Sequence, residues 1–227
     1  MSSVSKFLRE LLFPQSCLYC GIDTAYQLCE YCFNRLLNMG CIKCKRPIEG
    51  FCTKCATEMG AAGIRFLAPY SIFKPWIYGH KIDFSCKSEL IEPRLLESFF
   101  GSLEKKIQSP FTVELVPSRD EQNWIQNILP DSIRNLIRGS NLIRAEDQIE
   151  QKYLNWEERH NRRYNLFEVR SNASIVSDSV MLVDDVMSTG TSLESCVSLL
   201  LRLGYRRVYI VVFAYQSRIS EEKYGSK

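Results

Sequence analysis

Four Cys-x-x-Cys pairs stand within 39 residues near the start of the chain: Cys17/Cys20, Cys29/Cys32, Cys41/Cys44 and Cys52/Cys55. Two intervening residues let both thiolates of a pair reach one ion from a tight turn. Four thiolates then close the tetrahedral shell of a structural zinc site. Four pairs imply two zinc ions. An all-cysteine shell leaves no open position, which argues against a catalytic metal; an iron–sulfur cluster would use the same ligands. Pairing first with second and third with fourth closes the shortest loops and is favoured on entropy, while an interleaved cross-brace uses the same spacing. About 45 residues with few aliphatic side chains cannot build a core alone, so metal should supply this segment's folding energy.

The remaining composition is ordinary. In 227 residues, 45% are hydrophobic and 24% charged, which excludes a disordered, collagenous or coiled-coil chain. Only Cys86 and Cys196 lie outside the cysteine block, and both read as small core residues. Met1 to Phe13 lacks the continuous apolar run of an export signal, and no stretch approaches the ~20 apolar residues of a membrane span. The expectation is a cytoplasmic protein with no membrane insertion, in a compartment where clustered thiols bind metal instead of pairing as disulfides. The formal charge of +3 falls to about −1 once eight thiolates hold two zinc ions, so any nucleic-acid contact needs a local basic patch.

Near residue 62 the texture changes, which divides the chain into a double zinc-ribbon module (1–62) and an α/β domain (63–227). Ile64–Tyr70, Phe111–Val116, Val180–Val183 and Val208–Tyr215 read as strands. Ser88–Ile107 has helical spacing, and Trp124–Arg138 reads as a helix broken by Pro130. Leu193, Cys196, Val197, Leu200 and Leu203 form a helical stripe closed by Gly204. Strand, helix, strand in this order predicts a parallel sheet covered on both faces.

Residues 180–192 read VMLVDDVMSTGTS. Four apolar residues make a buried strand, and Asp184 and Asp185 stand at its carboxyl edge. Val186 and Met187 lead into Ser188, Thr189, Gly190, Thr191 and Ser192, after which a helix begins. Backbone N–H groups and hydroxyls at a helix N-terminus favour an anion, and Gly190 permits close approach of a phosphate. The carboxylates, one loop away, can accept from sugar hydroxyls or hold Mg²⁺ through water. Phosphate at one end and vicinal hydroxyls at the other describe a ribose 5-phosphate at the carboxyl edge of an α/β sheet.

This run resembles the phosphoribosyl-pyrophosphate motif of type I phosphoribosyltransferases throughout its length. With four Cys-x-x-Cys pairs ahead of it, with Leu12-Phe13-Pro14, and with the Gln151, Leu154, Arg159, Asn161, Phe167 spacing, nearly the whole chain resembles the ComF family of competence proteins (ComFC-like). The resemblance implies a double zinc ribbon ahead of a type I phosphoribosyltransferase-like domain. It implies binding of phosphoribosyl pyrophosphate with Mg²⁺, and association with single-stranded DNA and the competence machinery in natural transformation. The alternative is an active Mg²⁺-dependent phosphoribosyltransferase with an unknown acceptor. Where the family carries Arg-Gly-Phe-Asn-Gln after the strand at 111–117, this chain reads PSRDEQNWIQN. That leaves Arg119, together with Lys81, as candidates for the pyrophosphate side. Arg159, His160, Arg162 and Arg163, interleaved with Tyr153, Trp156 and Tyr164, form a flap over the site, a DNA-contact strip or a solvated helix face.

Overall fold

A computed structural model of the chain describes residues 15–24, 26–74, 77, 93–118, 123–145 and 166–217. The central element is a four-stranded, wholly parallel sheet of β3 (Gly63–Pro69), β4 (Phe111–Leu115), β7 (Ser179–Met187) and β8 (Arg207–Tyr215), in the order β3-β8-β7-β4. The remaining described strands form two small antiparallel pairs: β1 (Gln15–Ser16) with β2 (Asp23–Thr24), and β5 (Leu142–Arg144) with β6 (Phe167–Val169). Helices among the described residues include α1 (Glu30–Leu37), α2 (Thr53–Thr57), α3 (Pro93–Glu104), α4 (Ile125–Ile128), α5 (Asp131–Arg134) and α6 (Thr191–Leu203).

The sheet is apolar on both faces because helices cover both. Along β7, Met181 and Val183 enter one core while Val180 and Leu182 enter the other, all fully buried. Val211 and Phe213 of β8 share the first core; Val208, Ile210 and Val212 share the second. Complete burial of a side chain of this size contributes about 1.5–3 kcal/mol. On the first face α3 presents Leu95, Leu96, Phe99, Phe100 and Leu103, and Phe213 meets Phe73, Phe100 and Trp124 at centroid distances of 6.2, 6.2 and 6.5 Å. On the second face α6 presents Leu193, Cys196, Val197 and Leu200, the stripe expected from its spacing. Gly204 ends α6 at φ +121°, its N–H reaching the Leu200 and Leu201 carbonyls.

The expected helix over 124–138 is two short helices, α4 and α5. Pro130 removes a backbone donor between them and starts the second. The expected strand over 180–183 is longer in the structure. It continues through both aspartates to Met187, because the nine-residue β8 pairs with it as far as Met187↔Tyr215. Among the described residues no helix is long and apolar enough to cross a membrane.

The cysteine block straddles the β3 edge of the sheet. Cys17, Leu28, Cys32, Phe33 and Leu36 join the first core; Cys41, Ile42, Cys52, Cys55, Ala56 and Met59 join the second. The exposed backbone of an edge strand invites pairing with other chains. Here Cys52 covers it with a two-way bridge to Ile64, at N···O distances of 2.8 and 3.2 Å. Arg65, 4% exposed, donates from Nη2 to the Leu37 carbonyl at 2.8 Å, with its guanidinium 5.9 Å from the Phe99 ring centroid. It ties the end of α1 to β3 and α3.

Candidate functional site

The eight cysteines form two groups, Cys17/Cys20/Cys29/Cys32 and Cys41/Cys44/Cys52/Cys55, so the pairing is sequential. Within each group all four sulfurs lie within 4.8 Å of one another. The Sγ–Sγ distances are 3.7 Å for Cys20–Cys29, 3.7 Å for Cys41–Cys55 and 3.6 Å for Cys44–Cys52. A tetrahedron with Zn–S bonds of about 2.3 Å has edges of about 3.8 Å, whereas a disulfide needs about 2.05 Å. The sulfurs are therefore spaced for a shared ion, and the donor set fits structural zinc.

The charge balance within each group argues the same way. Burial opposes ionisation of Cys17, but the backbone N–H groups of Cys29, Cys20 and Tyr19 overcome it and bring the thiol down to about 6. The Arg46 N–H does the same for Cys44, to about 7. Burial and the neighbouring cysteines push Cys32 and Cys55 well above the ordinary thiol value. One thiol in each group ionises readily, while burial and crowded negative charge hold back Cys32 and Cys55. A divalent cation relieves that crowding.

The first knuckles of the two groups are the same turn. In each, the first cysteine's carbonyl accepts the N–H four residues on (Gly21 or Lys45), and its own N–H reaches the carbonyl five residues on (Ile22 or Arg46), every N···O distance being 2.8 Å. The fourth residue must be left-handed: Gly21 has φ +75° and Lys45 has φ +61°.

The second constellation lies at the carboxyl edge of the sheet. β4 pairs with β7 only as far as Leu115↔Val183, and Val116 N–H closes the ladder on the Val183 carbonyl at 3.0 Å. Asp184 and Asp185 follow immediately, half-buried, past the end of β4 on that side. Asp184 Oδ1 accepts the Asp185 N–H at 2.9 Å, and Asp185 Oδ1 accepts the Val186 N–H at 2.7 Å. Ser188 and Thr189 are exposed; Thr191 and Ser192 are half-buried at the start of α6. Gly190, at φ +90°, is the N-cap of α6, and Thr189 Oγ1 accepts the Thr191 N–H at the helix start at 3.5 Å. The first N–H groups of a helix have no intrahelical carbonyl partner, so the start of α6 suits an anion. The turn brings Asp184, Asp185 and Val186 together with the 187–192 loop.

Lys81, Arg119, Arg159, Arg162 and Arg163, along with His160, Tyr153, Trp156, Tyr164 and Cys86, lie outside the described residues.

Two buried residues, one on the strand beside β7 and one against the Gly190 turn, carry no motif in the sequence. Glu114 is buried on β4 at the register of Leu182, where Oε1 accepts from Ser140 Oγ at 2.9 Å and Leu142 N–H at 3.2 Å. Burial raises its pKa despite those donors. Met59, from the turn after α2, places its methyl 3.3 Å from where a Cβ on Gly190 would stand. The Gly60 that follows it, at φ +69°, was the only nearby signal, and a lone glycine marks a turn and not its neighbour.

Residues 140–226 match the family model described as "Phosphoribosyl transferase domain". None of the curated proteins matches the chain. The matched segment covers less than half of the chain and supplies the two inner strands, β7 and β8; residues before it supply the outer strands β3 and β4. The molecule is thus an α/β protein with a phosphoribosyltransferase-type domain and an N-terminal, double zinc-ribbon-like region. A domain of this type implies a ribose phosphate as its substrate class.

Proposed function

We propose that this chain binds phosphoribosyl pyrophosphate, or a related ribose 5-phosphate, at the turn from β7 into α6. Asp184 and Asp185 accept hydrogen bonds from the two vicinal ribose hydroxyls. Val186 and Met187 end the strand, and Ser188, Thr189, Gly190, Thr191 and Ser192 surround the 5′-phosphate with N–H groups and hydroxyls. Magnesium enters with the pyrophosphate, neutralising charge that Lys81 and Arg119 also face. Cys17, Cys20, Cys29 and Cys32 hold one zinc ion, and Cys41, Cys44, Cys52 and Cys55 a second, in a module spanning 1–62. The transferase-like domain spans 63–227.

One observation carries this reading. An acid pair at an open strand end, a left-handed glycine and the helix start it precedes follow one another without a gap, inside the segment that matches the family model. Resemblance to the ComF family adds a finer placement: a cytoplasmic protein associated with DNA uptake in natural transformation, with Arg159, Arg162 and Arg163 as contacts for single-stranded DNA. The eroded basic segment after β4 favours binding over turnover.

Calorimetric titration with phosphoribosyl pyrophosphate and Mg²⁺ tests the site, alongside an Asp184→Asn/Asp185→Asn variant. Heat in the wild type and its loss in the variant are expected. No heat in the wild type overturns the ligand; equal binding by both proteins overturns the two aspartates. Pyrophosphate release with an added acceptor would make the protein an active transferase. For DNA, an Arg162→Ala/Arg163→Ala variant should show a shallower salt dependence of single-strand binding; an identical slope removes those residues.

A further inference from the structure

Within the proposed phosphate loop the Thr189 and Thr191 hydroxyls lie 3.2 Å apart, and Thr189 Oγ1 accepts the Thr191 N–H at 3.5 Å. Ser188 and Thr189 are exposed, and Gly190 sits in a left-handed conformation whose site is closed by two thioether methyls. One is Met187 Cε, 2.8 Å from a Cβ position on Gly190, and it belongs to the motif itself. The other is Met59 Cε at 3.3 Å, and it comes from the second cysteine group, well over a hundred residues earlier in the chain.

Met59 does not reach the loop by chance of a long side chain. It is 5% exposed and lies in the same core as Cys55, Met187, Leu193 and Val197. Its N–H and that of Ala61 both bond the Ala56 carbonyl, at 2.9 and 3.0 Å, which folds the turn after α2 back on itself. Gly60 brings that turn to within 4.0 Å (measured from its Cβ position) of Val197 Cγ1 on α6. Beside it Lys43 Nζ pairs with Glu58 at 2.6 Å. Tyr215 is the register partner of Met187, and the Met187 carbonyl accepts the Gln216 N–H at 2.9 Å. The second ribbon therefore braces the Gly190 turn through Met59.

We propose that the second four-cysteine ribbon is a wall of the ribose-phosphate site, with Met59 the positioning residue that holds the Gly190 turn in its ligand-binding shape. The inference rests on the ribose-phosphate reading above. It makes ligand affinity depend on an intact second ribbon, and by linkage ligand binding should retain metal there.

The experiment measures binding of phosphoribosyl pyrophosphate with Mg²⁺, and separately of ribose 5-phosphate. It compares the zinc-loaded wild type, Met59→Leu, Met59→Ala, Met59→Val and a Tyr31→Ala control on the first ribbon. Amide hydrogen exchange of a peptide spanning 187–192 is followed without ligand, and zinc content and melting curves establish which variants are folded. If shortening Met59 leaves the loop competent about one fifth of the time, the apparent Kd rises about fivefold. That rise is expected for Met59→Ala, with faster exchange over 187–192. Met59→Leu should restore both, and Tyr31→Ala should change neither. If Met59→Ala loses its zinc, Met59→Val, which withdraws the methyl while filling more of the core, decides. Wild-type binding with unchanged affinity and exchange in the shortened variants overturns the role of Met59 and leaves the ribose-phosphate site standing. Absence of binding by the wild type overturns the site itself, and the positioning role with it.

Discussion

The two four-cysteine groups use the same spacing and the same knuckle, yet they are embedded differently. The first lies over the α1–α3 side of the sheet and keeps an open surface: Cys20 is exposed, and Ile22 and Tyr31 are 64% and 72% exposed. The second has three buried cysteines, a backbone bridge to β3, and Met59 against the Gly190 turn. Metal-binding chemistry is set by the cysteines alone; what each group does is set by what its knuckles pack on. A repeated motif can thus supply a stapled outer module on one face and a support for the Gly190 turn on the other.

The strongest challenge to this picture is metal removal. Both groups contribute to the cores that cover the sheet, so a strong chelator should unfold the molecule in one transition and not melt the ribbons alone. Structural zinc contributes on the order of 10 kcal/mol of apparent folding free energy per site. Thermal melts followed by far- and near-ultraviolet circular dichroism, with and without chelator, report this. A metal-free protein whose sheet signals and melting temperature are unchanged would show the ribbons to be appendages.

Single-ligand variants compare the two groups directly. Cys20→Ser alters an exposed ligand that water can replace. Cys52→Ser disturbs a buried ligand whose own N–H and C=O hold the β3 edge. Cys52→Ser is expected to be the more destabilising by about 2 kcal/mol or more, the scale of a lost metal ligand combined with core disruption. Urea unfolding of the two variants measures it, and equal midpoints would erase the distinction.

Gly190→Ala probes the contact that sets the second group apart. An alanine at φ +90° costs about 1–2 kcal/mol of backbone strain. Its methyl would also stand 2.8 Å from Met187 Cε and 3.3 Å from Met59 Cε, so both side chains must shift. Loss of ribose-phosphate binding is expected, with two zinc ions retained and a modest drop in stability. Calorimetry and a metal assay check both parts; unimpaired binding would separate the loop's shape from the ribbon.

Much of this was legible in the residues. The continuous apolar runs VMLV and VYIVVFAY, and the Leu193-Cys196-Val197-Leu200 stripe, marked β7, β8 and α6, because apolar runs and helical period are local properties. The acid pair and the Ser-Thr-Gly-Thr run marked the loop, because each residue there has its own chemical reason. The extension of β7 to Met187 was not legible, since it depends on the length of β8 and not on the propensity of two aspartates. Nor were Met59, Glu114 and Arg65. Each owes its place to a partner distant in sequence, and a methionine, a glutamate in a strand run and a lone arginine look ordinary until the chain is folded.

The smallest effect isolates the turn the two groups have in common. Gly21 and Lys45 occupy the same left-handed position, at φ +75° and φ +61°. Glycine adopts it without steric cost, whereas a residue with a Cβ pays roughly 1–2 kcal/mol there. Nothing lies within 4 Å of a Cβ placed on Gly21, so conformation and not collision decides the outcome. Gly21→Ala should therefore destabilise by about 1 kcal/mol. Lys45→Gly should stabilise by a smaller amount, because the added glycine also gains freedom in the unfolded chain. Both variants should keep two zinc ions and bind ribose phosphate as the wild type does, since neither residue touches the loop. Paired urea titrations give the sign of each change. Opposite signs make the knuckles one turn occupied by a relaxed residue in the first group and a strained one in the second; the same sign in both would mean the second knuckle is stabilised by contacts of the Lys45 side chain.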